Sequence, residues 1–305
     1  MSSGTPLAPL AASGTPAAAA PIAAEELASL GSTARPRRRG PLADLFTFRN
    51  LIGVLVVREL KVRYKRSVLG LLWTMLNPLL LMVVYTIVFT TIMPSQVPHF
   101  SIWLLAGLLP WIFVSTALMQ GLTSVLTNQE LIRKVRLPQA VFPLSVVGSN
   151  LVNFTLSLAP LLLVMLVLGH PLTSALFFLP ISMLILTVFA SGITLAFASA
   201  TVFFRDVRHL TEVLLQVLFY LSPVLYDVAQ INAGSARTAW WRPIFLRELA
   251  FNPFSYLLPL VRDPVYAGVV PPMQTIITAS LCAVAALGFG FALFTRLEPR
   301  HIHHF

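Results

Sequence analysis

Charge is what this chain has least of. Asp, Glu, Lys and Arg make up 10% of its 305 residues, while 57% are apolar. Soluble domains carry roughly 25% charged residues, so a water-facing surface cannot be built over most of this sequence. Cysteine is nearly missing too. The single Cys282 excludes an intrachain disulfide, and its apolar surroundings suit a small packing residue. No Cys/His cluster has metal-site spacing. The phosphate-cradling Gly-x-x-x-x-Gly-Lys-Ser/Thr run is missing, which excludes ATP binding of that kind. His-Glu-x-x-His and Gly-x-Ser-x-Gly are missing as well. Residues 1–34 lack the basic start and long apolar core of a signal peptide. They are rich in Ala, Ser and Pro and read as disordered.

What is present is a set of long stretches without charge. No Asp, Glu, Lys or Arg occurs from Ser67 to Gln129, from Leu137 to Phe204, or from Pro264 to Thr295. A membrane helix needs about 20 apolar residues, so each of the first two stretches holds two helices and a turn. Pro94-Ser95-Gln96-Val97-Pro98 and Gly169-His170-Pro171 supply the turns. Spans are expected near Leu69–Met93, Phe100–Leu126, Leu144–Leu168, Ala175–Phe203 and Met273–Phe294. A shorter run, Val213–Tyr226, contains Ser222-Pro223. It reads either as a broken helix lining a path or as a helix with snorkelling charged ends.

Six spans put both termini on one side. The net charge is +10, a value that in a soluble protein would suggest nucleic acid. Its distribution points to the membrane instead. Of the 21 Lys and Arg, 17 fall on the side of the termini and 4 (Arg237, Arg242, Arg247, Arg262) on the other. Basic residues gather in cytoplasmic loops, so both termini are expected in the cytoplasm, with no nucleic-acid partner.

Residues 44–66 form an amphipathic helix on a 3.6-residue wheel. Thr47, Asn50, Arg58, Lys61 and Lys65 share one face; Leu45, Phe48, Ile52, Leu55 and Val62 share the other. Glu59 interrupts the apolar face, and Arg63, four residues on, is placed to pair with it. Such a helix suits the cytoplasmic membrane interface. Arg58, Lys61, Arg63, Tyr64 and Arg66 then sit at headgroup depth, where they serve as an anchor or hold a lipid phosphate.

Thr127-Asn128-Gln129-Glu130 matches a capping box, which predicts a helix starting at Thr127 and stopping before Pro138. The second cytoplasmic turn, Phe203 to His209, holds aromatics, Arg205 and Asp206. Both loops suit docking of a soluble partner or interfacial anchoring. The outer stretch Asn252–Val261 is too apolar for a free loop and reads as short helices dipping back into the membrane. His301, His303 and His304 read as a solvated tail. Ionisable groups are missing from the depths of spans one to four and six, which weighs against an ion-coupled carrier.

A family resemblance joins these fragments. Arg58-Glu59-Leu60-Lys61-Val62-Arg63-Tyr64-Lys65-Arg66 running into Gly70-Leu71-Leu72-Trp73, then Asn77-Pro78, resembles the lead into the first span of ABC exporter permeases of the second class. The members it resembles are those that handle polysaccharides and polyol phosphates. Five further segments match in order. They are Gly107 to Trp111; Asn128 to Val135 with Leu137-Pro138; Phe204-Arg205-Asp206-Val207; Leu221 to Tyr226; and Asn252-Pro253 with Val261-Arg262-Asp263.

The resemblance implies an all-α polytopic membrane protein of the bacterial inner membrane. Its parts would be a basic N-terminal segment (1–43), an interfacial gate helix (44–66), a six-span domain (67–297) with re-entrant outer helices between spans five and six, and a cytoplasmic tail (298–305). It implies a homodimer with two ATPase subunits that carry ATP and Mg, no cofactor on this chain, and export of a polyprenyl-pyrophosphate-linked polysaccharide. Arg58, Lys61, Arg63, Tyr64 and Arg66 would meet the lipid phosphate. Tyr85, Phe219, Tyr220 and Tyr226 would face the sugars. Glu130, Arg133, Lys134, Arg205 and Asp206 would transmit ATPase motion. Alternatives are export of a small lipid or drug by the same architecture, and an embedded enzyme acting on polyprenyl phosphates. The missing carboxylate cluster argues against the enzyme.

Overall fold

The computed structural model describes residues 48–65, 70, 72–88, 97–135, 137–228 and 242–301, and every element in them is helical. The helices are α1 (Arg49–Tyr64), α2 (Leu72–Ile87), α3 (Phe100–Gly121), α4 (Ser124–Thr127), α5 (Gln129–Lys134) and α6 (Val141–Val167). After these come α7 (Leu179–Phe203), α8 (Val207–Leu221), α9 (Arg242–Phe251), α10 (Phe254–Leu257), α11 (Pro259–Arg262) and α12 (Met273–His301). A 3-10 turn (Ser174–Phe178) precedes α7, and a π turn (Asp263–Ala267) follows α11.

Among the described residues, four helical stretches are long and apolar enough to cross a membrane: α3, α6, the 3-10 turn continuing into α7, and α12. The chain is thus an all-α polytopic membrane protein. The helix α2, 16 residues long, is apolar but shorter.

The central column is α3. Its buried side chains run from Phe100 to Leu118 around the whole helix, as expected of a helix enclosed by others. It packs on α6, α7, α2 and α11, with the Phe113 and Phe154 rings stacked 5.2 Å apart and Trp111 4.7 Å from Phe254. The helices α7 and α12 lie closest of all. A methyl on Gly192 would strike the backbone of Ala286 and Leu287, and one on Gly290 the backbone of Gly192. Small residues at such a contact let two backbones approach in a setting where lipid competes for apolar surface.

The turn at Gly169-His170-Pro171 stands where the sequence puts it, with Gly169 at φ +67. The turn at 94–98 lies outside the described residues except for Val97 and Pro98. The fifth apolar run is a helix, α8, that stops at Ser222, where the backbone turns extended before Pro223.

Three local readings change. The capping box is not made. Thr127 closes α4, with its hydroxyl on the carbonyls of Thr123 and Ser124, and α5 starts at Gln129 after Asn128. A threonine hydroxyl that back-bonds within its own helix is not free to cap the next one. Glu59 pairs with Arg58 at 3.2 Å rather than with Arg63.

The third change concerns the seam of α1. It buries Leu51 and Leu55 against Val141 and Phe142 of α6, with Phe48 and Ile52 half-buried, while Val54, Val57 and Val62 are exposed. Arg58 and Arg63 turn toward the protein because amide acceptors wait there.

Candidate functional site

A cavity of about 350 Å³ opens between the end of α1, α2, α3 and α6. Arg63 and Tyr64 stand in its wall, together with Trp73, Asn77, Gln120 and Asn150. The Arg63 guanidinium donates to Asn150 Oδ1 at 3.2 Å and to Gln120 Oε1. Asn150 Nδ2 donates in turn to Gln120 Oε1 at 2.9 Å and to the Val146 carbonyl at 2.9 Å. Tyr64 donates to Asn153 Oδ1 at 3.1 Å.

The chemistry of this cage follows from its partners. Gln120 and Asn150 orient the guanidinium without neutralising it. A charged group keeps its field when its acceptors are neutral dipoles, and a fixed guanidinium fork matches phosphate oxygens. The arrangement suits an anion with apolar parts, because Trp73, Pro78 and Phe113 complete the wall.

Of the other predicted cations, Arg58 donates to Asn128 Oδ1 at 2.9 Å, linking α1 to the root of α5. Lys61 is exposed, and Arg66 lies outside the described residues. Sequence reasoning missed Gln120, Asn150 and Asn153, and read Asn128 only as part of the capping box and the loop motif. Their signal was available: amides inside long apolar runs need partners.

A second cavity, of about 360 Å³, gathers three of the four predicted aromatics: Tyr85 of α2, with Phe219 and Tyr220 of α8. Trp111 of α3 joins them, its ring 5.5 Å from Phe219. Tyr226 is not there. Its ring packs 5.7 Å from Phe245, and its hydroxyl donates to the Leu221 carbonyl at 2.6 Å.

On the loops, Glu130, Arg133 and Lys134 are exposed on α5 while Ile132 is buried beneath them. Arg205 and Asp206 are exposed between α7 and α8. Among the described residues no group of three or more His, Cys, Asp or Glu side chains is placed to hold a metal.

The outer side holds a buried cation. Arg262 donates to the carbonyls of Pro223 at 2.8 Å and Val224 at 3.0 Å, and its guanidinium lies 3.9 Å over the Trp103 ring. These carbonyls are freed where α8 breaks. Asn252 adds a bond from Nδ2 to Ser222 Oγ at 3.0 Å. Arg262 reaches this place only because residue 107 is glycine; a methyl there would overlap Nη2. Burial pushes the Arg262 pKa down to about 10, against the pull of Asp263 and Asp227, so it stays charged at neutral pH. Burial raises Asp263, and Arg262 opposes that rise. The sequence showed Arg262 as one of the outer charges and as part of the Val261-Arg262-Asp263 resemblance, without a structural role.

A bundle of long apolar helices with polar cavities between them is the build of a membrane permease. The sequence pattern of the ABC-2 type transporter family matches residues 50–266. The chain belongs to that family and is a transporter permease subunit rather than an enzyme. Among its relatives, the O-antigen export system permease protein RfbA of Myxococcus xanthus is 36% identical over 251 residues, which is 82% of this chain and 94% of that protein. RfbA of Klebsiella pneumoniae is 33% identical over 208 residues, covering 65% of this chain and 80% of its own. The polysialic acid transport protein KpsM of Escherichia coli is 23% identical over 254 residues, covering 81% and 93%.

Proposed function

We propose that this chain is the permease of an ATP-driven exporter that moves a polyprenyl-pyrophosphate-linked polysaccharide out of the bacterial cytoplasm. Two copies, each with six spans and re-entrant outer helices, would enclose the path, with both termini in the cytoplasm and two ATPase subunits holding ATP and Mg below. The names of the relatives support the class of cargo. The observation that carries the reading for this molecule is the amide-held Arg63 in the wall of an amphiphilic cavity. A lipid-linked sugar phosphate presents the same combination of anion and hydrocarbon.

The loops supply the drive. Exposed Glu130, Arg133 and Lys134 on α5 meet the ATPase, with Arg205 and Asp206 beside α8 as the second contact. The Arg58–Asn128 bond then joins the root of α5 to the helix that carries Arg63. Alternation between states of different substrate affinity, biased by nucleotide on the partner, gives directed transport. The cavity of Tyr85, Phe219 and Tyr220 offers ring faces along which sugars can slide.

The test is Arg63→Ala. Export of the native glycan should fall at least tenfold while the ATPase still co-purifies, and Arg63→Lys should restore part of it. Undiminished export in Arg63→Ala would sink this assignment.

A further inference from the structure

The C-terminal end of α12 is built into the roots of both cytoplasmic loops. His301 is fully buried rather than solvated. Its Nδ1 lies 2.7 Å from Gln139 Oε1 and its Nε2 3.0 Å from Ser199 Oγ. An amide oxygen only accepts, so Nδ1 carries the proton. The Ser199 hydroxyl meets the ring's other nitrogen, Nε2. Gln139 is oriented by its other end, where Nε2 donates to the Glu298 carbonyl at 3.5 Å. The Gln139 backbone N–H donates to Glu298 Oε1 at 2.7 Å. Phe203 and Phe294 close around the imidazole, each with its ring centre 5.5 Å away.

Each bond answers a local need. The Gln139 N–H lies two residues before α6, whose own first N–H groups, on Val141 and Phe142, are taken by the carbonyls of Pro138 and Gln139. Glu298 supplies the acceptor from the far end of the chain, and its negative charge suits the positive helix start. The Glu298 carbonyl, in the last turn of α12, accepts from Gln139 Nε2 in return. The continuation of α12 through Pro299 to His301 delivers these groups.

The positions tied together are telling. Gln139 stands directly after α5 and Leu137-Pro138, at the root of the first loop. Ser199 lies in the last turns of α7, at the root of the second. We infer that Glu298 and His301 form a coupling clasp, which makes the two ATPase-facing loops move as one body with α12. This rests on the docking reading above. His301 is a positioning residue in it; it touches neither cargo nor nucleotide.

The experiment uses full-length permease with its ATPase in native membranes. Three quantities are measured: ATPase co-purified, ATP hydrolysed in vesicles, and surface polymer measured as hexose released by acid. His301→Ala should keep the ATPase bound but raise ATP hydrolysed per hexose exported at least fivefold. His301→Gln, which offers one donor and one acceptor at similar reach, should return the ratio to within twofold of the unaltered protein. If His301→Ala does not reach the membrane, Ser199→Ala deletes a single bond and should raise the ratio in the same direction. An unchanged ratio in a well-folded variant overturns the clasp while leaving docking intact. Failure of the unaltered chain to bring down any ATPase overturns the docking reading, and the clasp with it.

Discussion

Replacing Gly107 by alanine should destabilise the protein through a residue 155 positions away. The added methyl would overlap Arg262 Nη2, and α3 is enclosed on all sides, so the guanidinium has to yield. Its retreat breaks the bonds to the Pro223 and Val224 carbonyls, at 2.8 and 3.0 Å, and the stacking over Trp103 at 3.9 Å. Hydrogen bonds to a charged group contribute about 1.5–3 kcal/mol each, and a desolvated cation–π contact about 2 kcal/mol. Partial relaxation of a flexible side chain recovers some of this, so Gly107→Ala should cost about 3 kcal/mol.

The discriminating experiment is a double-mutant cycle. Once Arg262 is alanine the methyl meets no guanidinium, and Gly→Ala inside a helix contributes about 1 kcal/mol of stability. Gly107→Ala should therefore lower the detergent melting midpoint by roughly 6 °C or more in the native background. It should leave the midpoint unchanged or raise it in Arg262→Ala. Equal losses in both backgrounds would refute the account, because the cost would then come from crowding of α3 by something other than Arg262.

Asn150→Ala removes one neutral acceptor from Arg63 and should weaken binding of a polyprenyl pyrophosphate roughly tenfold. Quenching of Trp73, which lines that cavity, gives the readout. Glu130→Ala with Arg133→Ala should abolish ATPase co-purification yet move the melting midpoint by no more than about 4 °C, since each exposed substitution usually stays within about 0.5 kcal/mol and 1 kcal/mol shifts a midpoint by roughly 2–4 °C.

The raised pKa of Asp263 also has a sign that can be tested. A carboxyl raised in the folded state stabilises it below the unfolded pKa and loses that contribution as pH climbs through the folded value. Arg262→Ala lifts Asp263 further. The midpoint deficit of that variant should therefore be smaller at pH 5 than at pH 8, and a deficit independent of pH would argue against it.

Much of the architecture was legible because lipid imposes a simple rule on sequence. The charge-free stretches mark α3, α6, α7 and α12, and Ser222-Pro223 marks the end of α8. The site was legible in part. Arg63 and Tyr64 were singled out, and they do line a cavity; the wheel was right about Phe48, Ile52 and Leu55 in the seam of α1 but left out Leu51 and counted the exposed Val62. Burial of Arg58 and Arg63 depends on Asn128, Gln120 and Asn150, which sit 57 to 87 residues further along the chain, and local periodicity carries no such information. Arg262 escaped for the same reason. Its role depends on a glycine in α3 and on carbonyls released by a break in α8. The solvated reading of His301 failed because Gln139 and Ser199 offer complementary groups that a tail composition cannot reveal.

The Gln139–Glu298 bond joins positions 159 residues apart, and that separation is also an interval of time. At a synthesis rate of roughly 5–20 residues per second, Gln139 waits on the order of ten to thirty seconds before Glu298 exists to accept from its N–H. During that interval the nascent chain has α5 in place but no anchored root beneath it. The first loop, proposed above to meet the ATPase, thus gains this anchor only after the last span has been synthesised. On that proposal, such an order would keep an unfinished permease from presenting a complete docking face to its motor.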